Sequence, residues 1–405
     1  MLYDPLRHEP LQTLPWNEER VRAAIRAIAA QAEANCRGRR YWPVHPLDRE
    51  GIDSDPVETP LYHGAAGVIW ALHYLEDCGA VSLARDWLHD WPALLDANRA
   101  WLASNAPGEA ASYLMGEVPI LMLALRRNPQ LAPELERLLA ANRLHPAREL
   151  MWGAPGSLLA ASFLHEATGE ERWADAFRAA AATLWSQLAW SEEHGCAYWT
   201  QELYGRQSTY LDAVHGFVAT ALPLIRSRHL LGQQAWARWR DCIANTVRKT
   251  ALREGGQVNW HPQLAGTERE NAKKLLQFCH GAPGFAIGLA GFPGAELDDL
   301  LLAAGETTWA AGPLAKGSNL CHGTAGNGYA FLALYGRTGD PLWLARARAF
   351  AMHALVQCER DANTYGQWRY SLWTGDLGLA VYLWDCLRAR AQFPTLDVFY
   401  GDGAG

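Results

Sequence analysis

Seven times along this chain a glycine step opens an apolar stretch, and each time a stretch of helical periodicity precedes it. The steps centre on Gly64, Gly116, Gly153, Gly216, Gly281, Gly323 and Gly375. The preceding amphipathic stretches fall at 19–36, 82–103, 133–142, 170–190, 233–252, 296–311 and 340–358. A repeat of this period is a primary determinant of fold, because one unit alone cannot bury its apolar face and neighbouring units must cover it. The first helix of each unit carries a wet face and a dry face, as in Glu171-Arg172-Trp173-Ala174-Asp175-Ala176-Phe177-Arg178. It belongs on the outside. The second is apolar nearly all round, as in Ser157-Leu158-Leu159-Ala160-Ala161-Ser162-Phe163-Leu164. It belongs on the inside.

The pattern predicts an all-α protein. Seven outer–inner helical hairpins close into an (α/α)7 double toroid, one domain over 1–405 with an irregular segment at 1–18. The inner helices line a central cavity. Glycine allows a tight turn and a close backbone approach at each inner-helix start. The helix starts aim their free N–H groups at one rim. Pro119 and Ala219 stand where a second glycine is expected, and count as drift. The longer intervals, 191–210 and 254–274, are expected to form loops over the rim.

Composition excludes several functions. The formal net charge is −7 and there is no strongly basic tract, which argues against a nucleic-acid partner. No apolar run reaches transmembrane length, and the start Met1-Leu2-Tyr3-Asp4-Pro5 lacks the apolar core of a signal peptide. The expectation is a soluble, cytoplasmic protein. The eight cysteines are spread along a long chain, which favours free thiols or metal ligands over disulfides. Many of the 19 tryptophans, such as Trp87, Trp91, Trp101, Trp236 and Trp239, lie in helical stretches and read as filling between helices.

Two steps carry a chemical signature. Cys279-His280-Gly281-Ala282-Pro283-Gly284 and Cys321-His322-Gly323-Thr324-Ala325-Gly326 each place a Cys-His pair before the glycine. In a ring these positions are neighbours on the rim. Cys279, Cys321 and His322 then suit a zinc site with three protein ligands and an open fourth position. Two buried cysteines at helix starts are the plainer alternative. Two thiolates already donate much charge to such a metal, so activating a bound thiol is a better use for it than activating water. His215 and His280 share the register of His322, one residue before a glycine, and His63 does so in the first unit. A histidine there can serve as acid or base near neutral pH. Glu149, Asp212 and Asp376 lie near the same rim. They either orient a histidine or cap a helix. Lys316 and Lys274 each precede a rim cysteine by five residues, and Arg369 precedes Gly375 by six. These are candidate anchors for a substrate carboxylate.

From Leu61 to Leu383 these residues resemble the lanthionine synthetase C-like family, whose members are double α toroids of seven glycine-motif hairpins with a Cys, Cys, His zinc site. The resemblance places zinc on Cys279, Cys321 and His322. It gives His215 the acid–base role and sets Glu149 where peptide cyclases usually carry Asp. Dedicated lantibiotic cyclases usually have Tyr after the first zinc Cys and Arg four before it, whereas this chain has His280 and Leu275. Its wording looks more like the stand-alone branch, in which Lys316 matches a glutathione-binding lysine, with Arg369 and His280 as further substrate contacts. The implied reaction is addition of a thiol, glutathione in that branch, to dehydroalanine or dehydrobutyrine residues of a peptide or protein, forming a thioether. Two alternatives stay open. One is a lanthionine-forming cyclase using a precursor peptide's own Cys. The other is a non-catalytic zinc-, thiol- or peptide-binding module. A helical-toroid glycosidase would need a carboxylate pair and neither cysteine.

Overall fold

The computed structural model describes residues 1–49, 56–265 and 274–401. Among them are fourteen α-helices in seven pairs. The outer members are α1 (Glu18–Ala34), α3 (Trp91–Asn105), α5 (Ala132–Asn142), α7 (Glu171–Ser186), α9 (Gln233–Thr250), α11 (Asp298–Ala311) and α13 (Pro341–Tyr365). The inner members are α2 (Ala65–Asp77), α4 (Val118–Leu125), α6 (Ala154–Thr168), α8 (Phe217–Arg226), α10 (Ala282–Leu289), α12 (Thr324–Thr338) and α14 (Asp376–Arg388). Each inner helix packs against the inner helices of the units before and after it, and α14 packs against α2, which closes the ring. Outer helices lie in the grooves between, so that α13 touches both α12 and α14.

The two helix types differ in burial as their sequences require. Every residue of α12 from Thr324 to Leu334 is buried. In α7 only Trp173, Ala174, Phe177, Ala180, Ala181 and Leu184 are buried, a single stripe at helical spacing. The fully buried tryptophans, Trp70, Trp173, Trp199, Trp260 and Trp373, fill the wide spaces of the ring. Each contributes a large apolar area that smaller side chains cannot match.

The glycine steps form a second, inner ring of backbone hydrogen bonds. The residues two before each glycine are Tyr62, Leu114, Met151, Val214, Cys279, Cys321 and Trp373. Tyr62 N donates to Leu114 O (3.1 Å), Leu114 N to Met151 O (3.3 Å) and Leu150 N to Val214 O (3.1 Å). Cys279 N donates to Cys321 O (3.1 Å), Cys321 N to Trp373 O (2.9 Å) and Trp373 N to Tyr62 O (3.0 Å). Between the fourth and fifth units the side chains of Asp212 and His280 span the junction at 2.8 Å. The second glycine of the step is required by the turn that carries this ring. A Cβ on Gly326 would run into the carbonyl of Leu320, and one on Gly67 into the carbonyl of Leu61 and the side chain of Leu372 in the neighbouring unit. Pro119 is tolerated in place of a glycine because it sits in the first turn of α4, where a missing N–H removes no helical bond.

Three expectations change. The helix expected over 82–103 begins at Trp91, because Pro92 suits a first turn. The interval 191–210 is structured. It holds two short hairpins, Ala189–Ser191 with Cys196–Tyr198 and Gln201–Leu203 with Arg206–Ser208. Helix α9 ends at Thr250 and leads into strand Ala251–Glu254, paired with Gln257–Trp260. The remainder of the 254–274 interval includes 266–273, outside the described residues.

The centre of the ring is also filled. The C-terminal segment runs among the inner helices. Trp70 Nε1 donates to Phe399 O (2.7 Å), Tyr113 OH to Thr395 O (2.7 Å) and Trp373 Nε1 to Thr395 Oγ1 (3.2 Å). Phe393 stacks on Phe278, with ring centroids 4.4 Å apart. Open space is left at the mouth. The segment at 1–18 straps the outside, where Glu9 Oε1 lies 2.7 Å from His353 Nε2.

Candidate active site

The residues one, two and four before the glycines divide the work. In three units the side chain four before the glycine closes the turn that leads into the inner helix. Glu149 accepts from Met151 N (2.9 Å) and Trp152 N (2.5 Å), Asp212 from Val214 N (2.9 Å) and His215 N (2.7 Å), and Asn319 from His322 N (3.0 Å). These contacts satisfy backbone donors of the turn, while the glycine itself is the N-cap of the helix.

Two of these side chains also reach the next unit. His215 Nδ1 donates to Glu149 Oε2 at 2.9 Å. His280 Nδ1 lies 2.8 Å from Asp212 Oδ2. Turn closure and histidine orientation are thus performed by the same carboxylates. The His215 and His280 rings sit side by side with centroids 6.3 Å apart. Burial works against a charge on His215, but the Glu149 hydrogen bond and charge, with Asp212 and the Cys321 sulfur adding to them, push it up to about 9. The imidazolium form therefore persists at neutral pH, with Nε2 left for other partners.

The two sulfurs meet at the junction of units five and six. Cys279 and Cys321 are buried and free of disulfide bonds, and they lie close enough to each other, and Cys321 to His322, to influence one another's ionisation. The Cys279 contact, followed by His322 and Tyr62, holds the Cys321 thiol well below its ordinary value against the opposing effect of burial. The same shared contact, burial and the nearby negative charges hold Cys279 well above. Tyr62 OH donates to Cys321 Sγ at 2.8 Å, and Gln277 Nε2 to Cys279 Sγ at 2.9 Å. Sequence reasoning missed both donors. Tyr62 stands two before Gly64, the register of the cysteines, and Gln277 four before Gly281, the register of Glu149, Asp212 and Asn319. That register was the signal that pointed to them.

Among the described residues no three His, Cys, Asp or Glu side chains form a ready-made metal cluster. The donor set at the mouth is a sulfur pair with His322 on one sulfur, and two polar groups already aim at the sulfurs. In residue type this is a soft set suited to Zn²⁺.

A cavity of about 510 Å³ opens beside His322 and is lined also by Lys316, Arg369, Asp48, Glu58 and Tyr62. Lys316 is exposed there. Arg369 is held by Asp48, with Nε donating to Oδ2 at 2.7 Å and Nη2 to Oδ1. His63 is on the same wall, 3.4 Å from Glu58. Two rim candidates lie elsewhere. Lys274 donates to Met1 O (2.6 Å) at the exposed strap. Asp376 is buried under the Arg369 backbone N–H (2.8 Å) and the Cys358 thiol (3.2 Å), and burial pushes it up to about 6.

The fold and site define a closed ring of seven helical pairs with a thiol-rich mouth. A family model described as lanthionine synthetase C-like protein matches residues 55–398, and the chain belongs to that family. It is 33% identical over 197 residues to a zebrafish (Danio rerio) protein named glutathione S-transferase LANCL1, covering 47% of each chain. It is 39% identical over 148 residues to the LanC-like protein GCL1 of Arabidopsis thaliana, covering 34% of this chain and 33% of that one. The aligned stretches thus span about half or less of these relatives. The solved structure of nisin cyclase superposes with a TM-score of 0.56 at 15% identity, over 91% of this chain and 99% of that one, which shows a shared fold. The family includes proteins named as enzymes. No helix among the described residues is long and apolar enough to cross a membrane.

Proposed function

We propose that this chain, acting as one unit in the cytoplasm, adds a thiol to dehydroalanine or dehydrobutyrine residues of a peptide or protein, and that the thiol is glutathione. The observation that carries the proposal is the juxtaposition at one mouth of a Cys279–Cys321–His322 donor set and an imidazolium, His215, held by Glu149. The cavity beside His322 supports a separate small thiol over a peptide's own Cys, because its volume suits a tripeptide-sized ligand and it offers Lys316 and Arg369 to carboxylates. The name of the zebrafish relative points the same way.

Cys279, Cys321 and His322 would hold zinc, which when bound stabilises a thiol as its thiolate. The protein's own residues do the rest. Lys316 and Arg369 bind carboxylates of the incoming thiol, and His280 lies beside His215 to line its path. Tyr62 and Gln277 orient the cysteines. The thiolate sulfur bonds to the β-carbon of the dehydro residue, and the π pair moves to give an enolate. His215 then donates its proton to the α-carbon, and the proton lost by the thiol restores the imidazolium. The product is a thioether, with no other reactant consumed.

Incubating the purified chain with a dehydroalanine peptide, with and without glutathione, tests this by mass spectrometry. A glutathione adduct is expected. A ring formed without glutathione, from a peptide carrying its own Cys, would replace this reading with cyclisation. Absence of thioether from both substrate sets would refute both.

A further inference from the structure

The hairpin Gln201–Leu203/Arg206–Ser208 turns on two residues, Tyr204 and Gly205. Both have positive φ, 51° and 72°. A two-residue turn with positive φ at both positions takes Asn-Gly or Gly-Gly by preference, since a bulky side chain is strained there. Tyr204 is nevertheless in place, and 75% of its surface is exposed. The roots of the hairpin are fixed. Glu202 N donates to Pro146 O (3.1 Å), Arg148 Nη1 to Thr200 O (2.7 Å), and Gln201 accepts from Tyr210 N (2.8 Å). The tip is therefore held rigidly and leans over the rim. Trp152 Nε1 approaches Tyr204 OH at 3.4 Å, and that hydroxyl lies 4.0 Å from Met151 Sδ. The phenol is also close enough to feel the Glu149 charge and to act on Tyr62. An exposed, strained aromatic at the catalytic mouth is held there by something other than folding stability.

We infer that Tyr204, with Trp152 and Met151, is the wall that binds the peptide carrying the dehydro residue. This rests on the function proposed above. Trp152 and Met151 belong to the third unit, and the hairpin lies in the fourth, between α7 and α8. Lys316, Arg369 and Tyr62 lie in the sixth, seventh and first, across the ring. The mouth thus has a side with Lys316 and Arg369 suited to the small thiol and an aromatic side suited to a peptide, with the sulfurs and His215 between. Two rigid aromatic rings supply apolar contact with one hydroxyl and one indole N–H for peptide amides. Met151 adapts to varied neighbours. Such a wall accepts many sequences around the reactive residue and confers a preference for peptides over small dehydroamino acids.

Y204G and Y204N test this, because both residues suit a positive φ and preserve the turn. A fluorescein-labelled dehydroalanine decapeptide is titrated without thiol and followed by anisotropy, and glutathione addition is measured in parallel. Binding of the decapeptide is expected to weaken at least fivefold in both variants. KM for the peptide should rise by the same factor, while kcat, KM for glutathione, turnover of N-acetyl-dehydroalanine methyl ester and Tm hold at or above the wild-type values. Binding equal to wild type, or no binding of the peptide to wild type, overturns the assignment. Weakened binding without turnover in any form keeps Tyr204 as a peptide contact and refutes the proposed reaction instead.

Discussion

Glu149 Oε2 accepts a hydrogen bond from His215 Nδ1 at 2.9 Å while the same carboxylate closes the turn that leads into α6. The two residues are 66 apart in sequence and belong to adjacent units. Because the turn fixes the carboxylate, the histidine is oriented without a dedicated residue. The pair predicts a pH profile. A proton donor pushed up to about 9 is present at neutral pH and is lost as pH rises through that value, so the rate should fall above about 9. Glu149→Gln removes the charge that raises His215, and the alkaline fall should move toward the ordinary histidine range. His215→Asn should cost ~10²- to 10³-fold in kcat at neutral pH. A pH–rate profile checks both. An unmoved alkaline limb in the Gln variant would exclude His215 as the acid.

The same pair predicts a stability trend. The folded-state pKa of His215 is raised, so its contribution is fully present below the unfolded value near 6.5 and is lost as pH rises through about 9. Urea midpoints of the wild type should therefore fall between pH 7 and 9.5. Glu149→Gln should fall less over that window.

Metal analysis addresses the sulfur pair. The wild type should carry about one zinc per chain, since the proposed site has one set of three ligands. Cys321→Ala should lose it. Tyr62→Phe removes only the hydroxyl that donates to Cys321 Sγ. Partners of this kind typically change metal affinity by roughly 10- to 100-fold. Competition with a chromophoric chelator measures the difference, and an affinity equal to wild type would show that the Tyr62 contact does not survive metal binding.

Much of this was legible before the structure, and the reason is register. Seven glycine steps in phase with helical periodicity specify a ring, because each inner helix needs two apolar neighbours. The same register put His215 and Glu149 on one rim, without pairing them. It failed where contact depends on loops. Lys274 and Lys316 have the same spacing from their cysteines, but one loop turns toward the strap and the other toward the cavity. Asp48 carries no repeat position, so nothing in the sequence joins it to Arg369 across 321 residues. The filled centre was hidden for a similar reason, since the segment from Phe393 to Phe399 lies beyond the last repeat.

Asp48 yields a prediction of its own. Its carboxylate holds a mostly buried guanidinium that lines the cavity. Asp48→Asn leaves that charge without its partner. Truncating one side of a buried pair costs about 2–5 kcal/mol, and the partial exposure of Asp48 places the expected loss at the low end. A carboxylate-bearing thiol can then take the vacated place on Arg369. Glutathione should raise the Tm of the Asn variant more than that of the wild type, by differential scanning fluorimetry at matched concentrations. An equal shift would show that Arg369 does not meet the thiol.

The glycine ring can be tested without any substrate. Gly326→Ala places a methyl against the Leu320 carbonyl, which is backbone and cannot yield cheaply. The variant should be destabilised by several kcal/mol or fail to fold, because overpacking into fixed backbone exceeds the ~1–3 kcal/mol typical of cores. Gly336 is in the same helix, α12, and is exposed, with nothing within 4 Å of the point a methyl would occupy. Gly336→Ala should stabilise by about 0.5–1 kcal/mol, since it only removes glycine's extra freedom in the unfolded chain. The contrast, read by urea denaturation, separates close approach at the rim from helix propensity. Equal behaviour of the two variants would mean that the inner ring of backbone hydrogen bonds tolerates a side chain, and the step would lose its structural explanation.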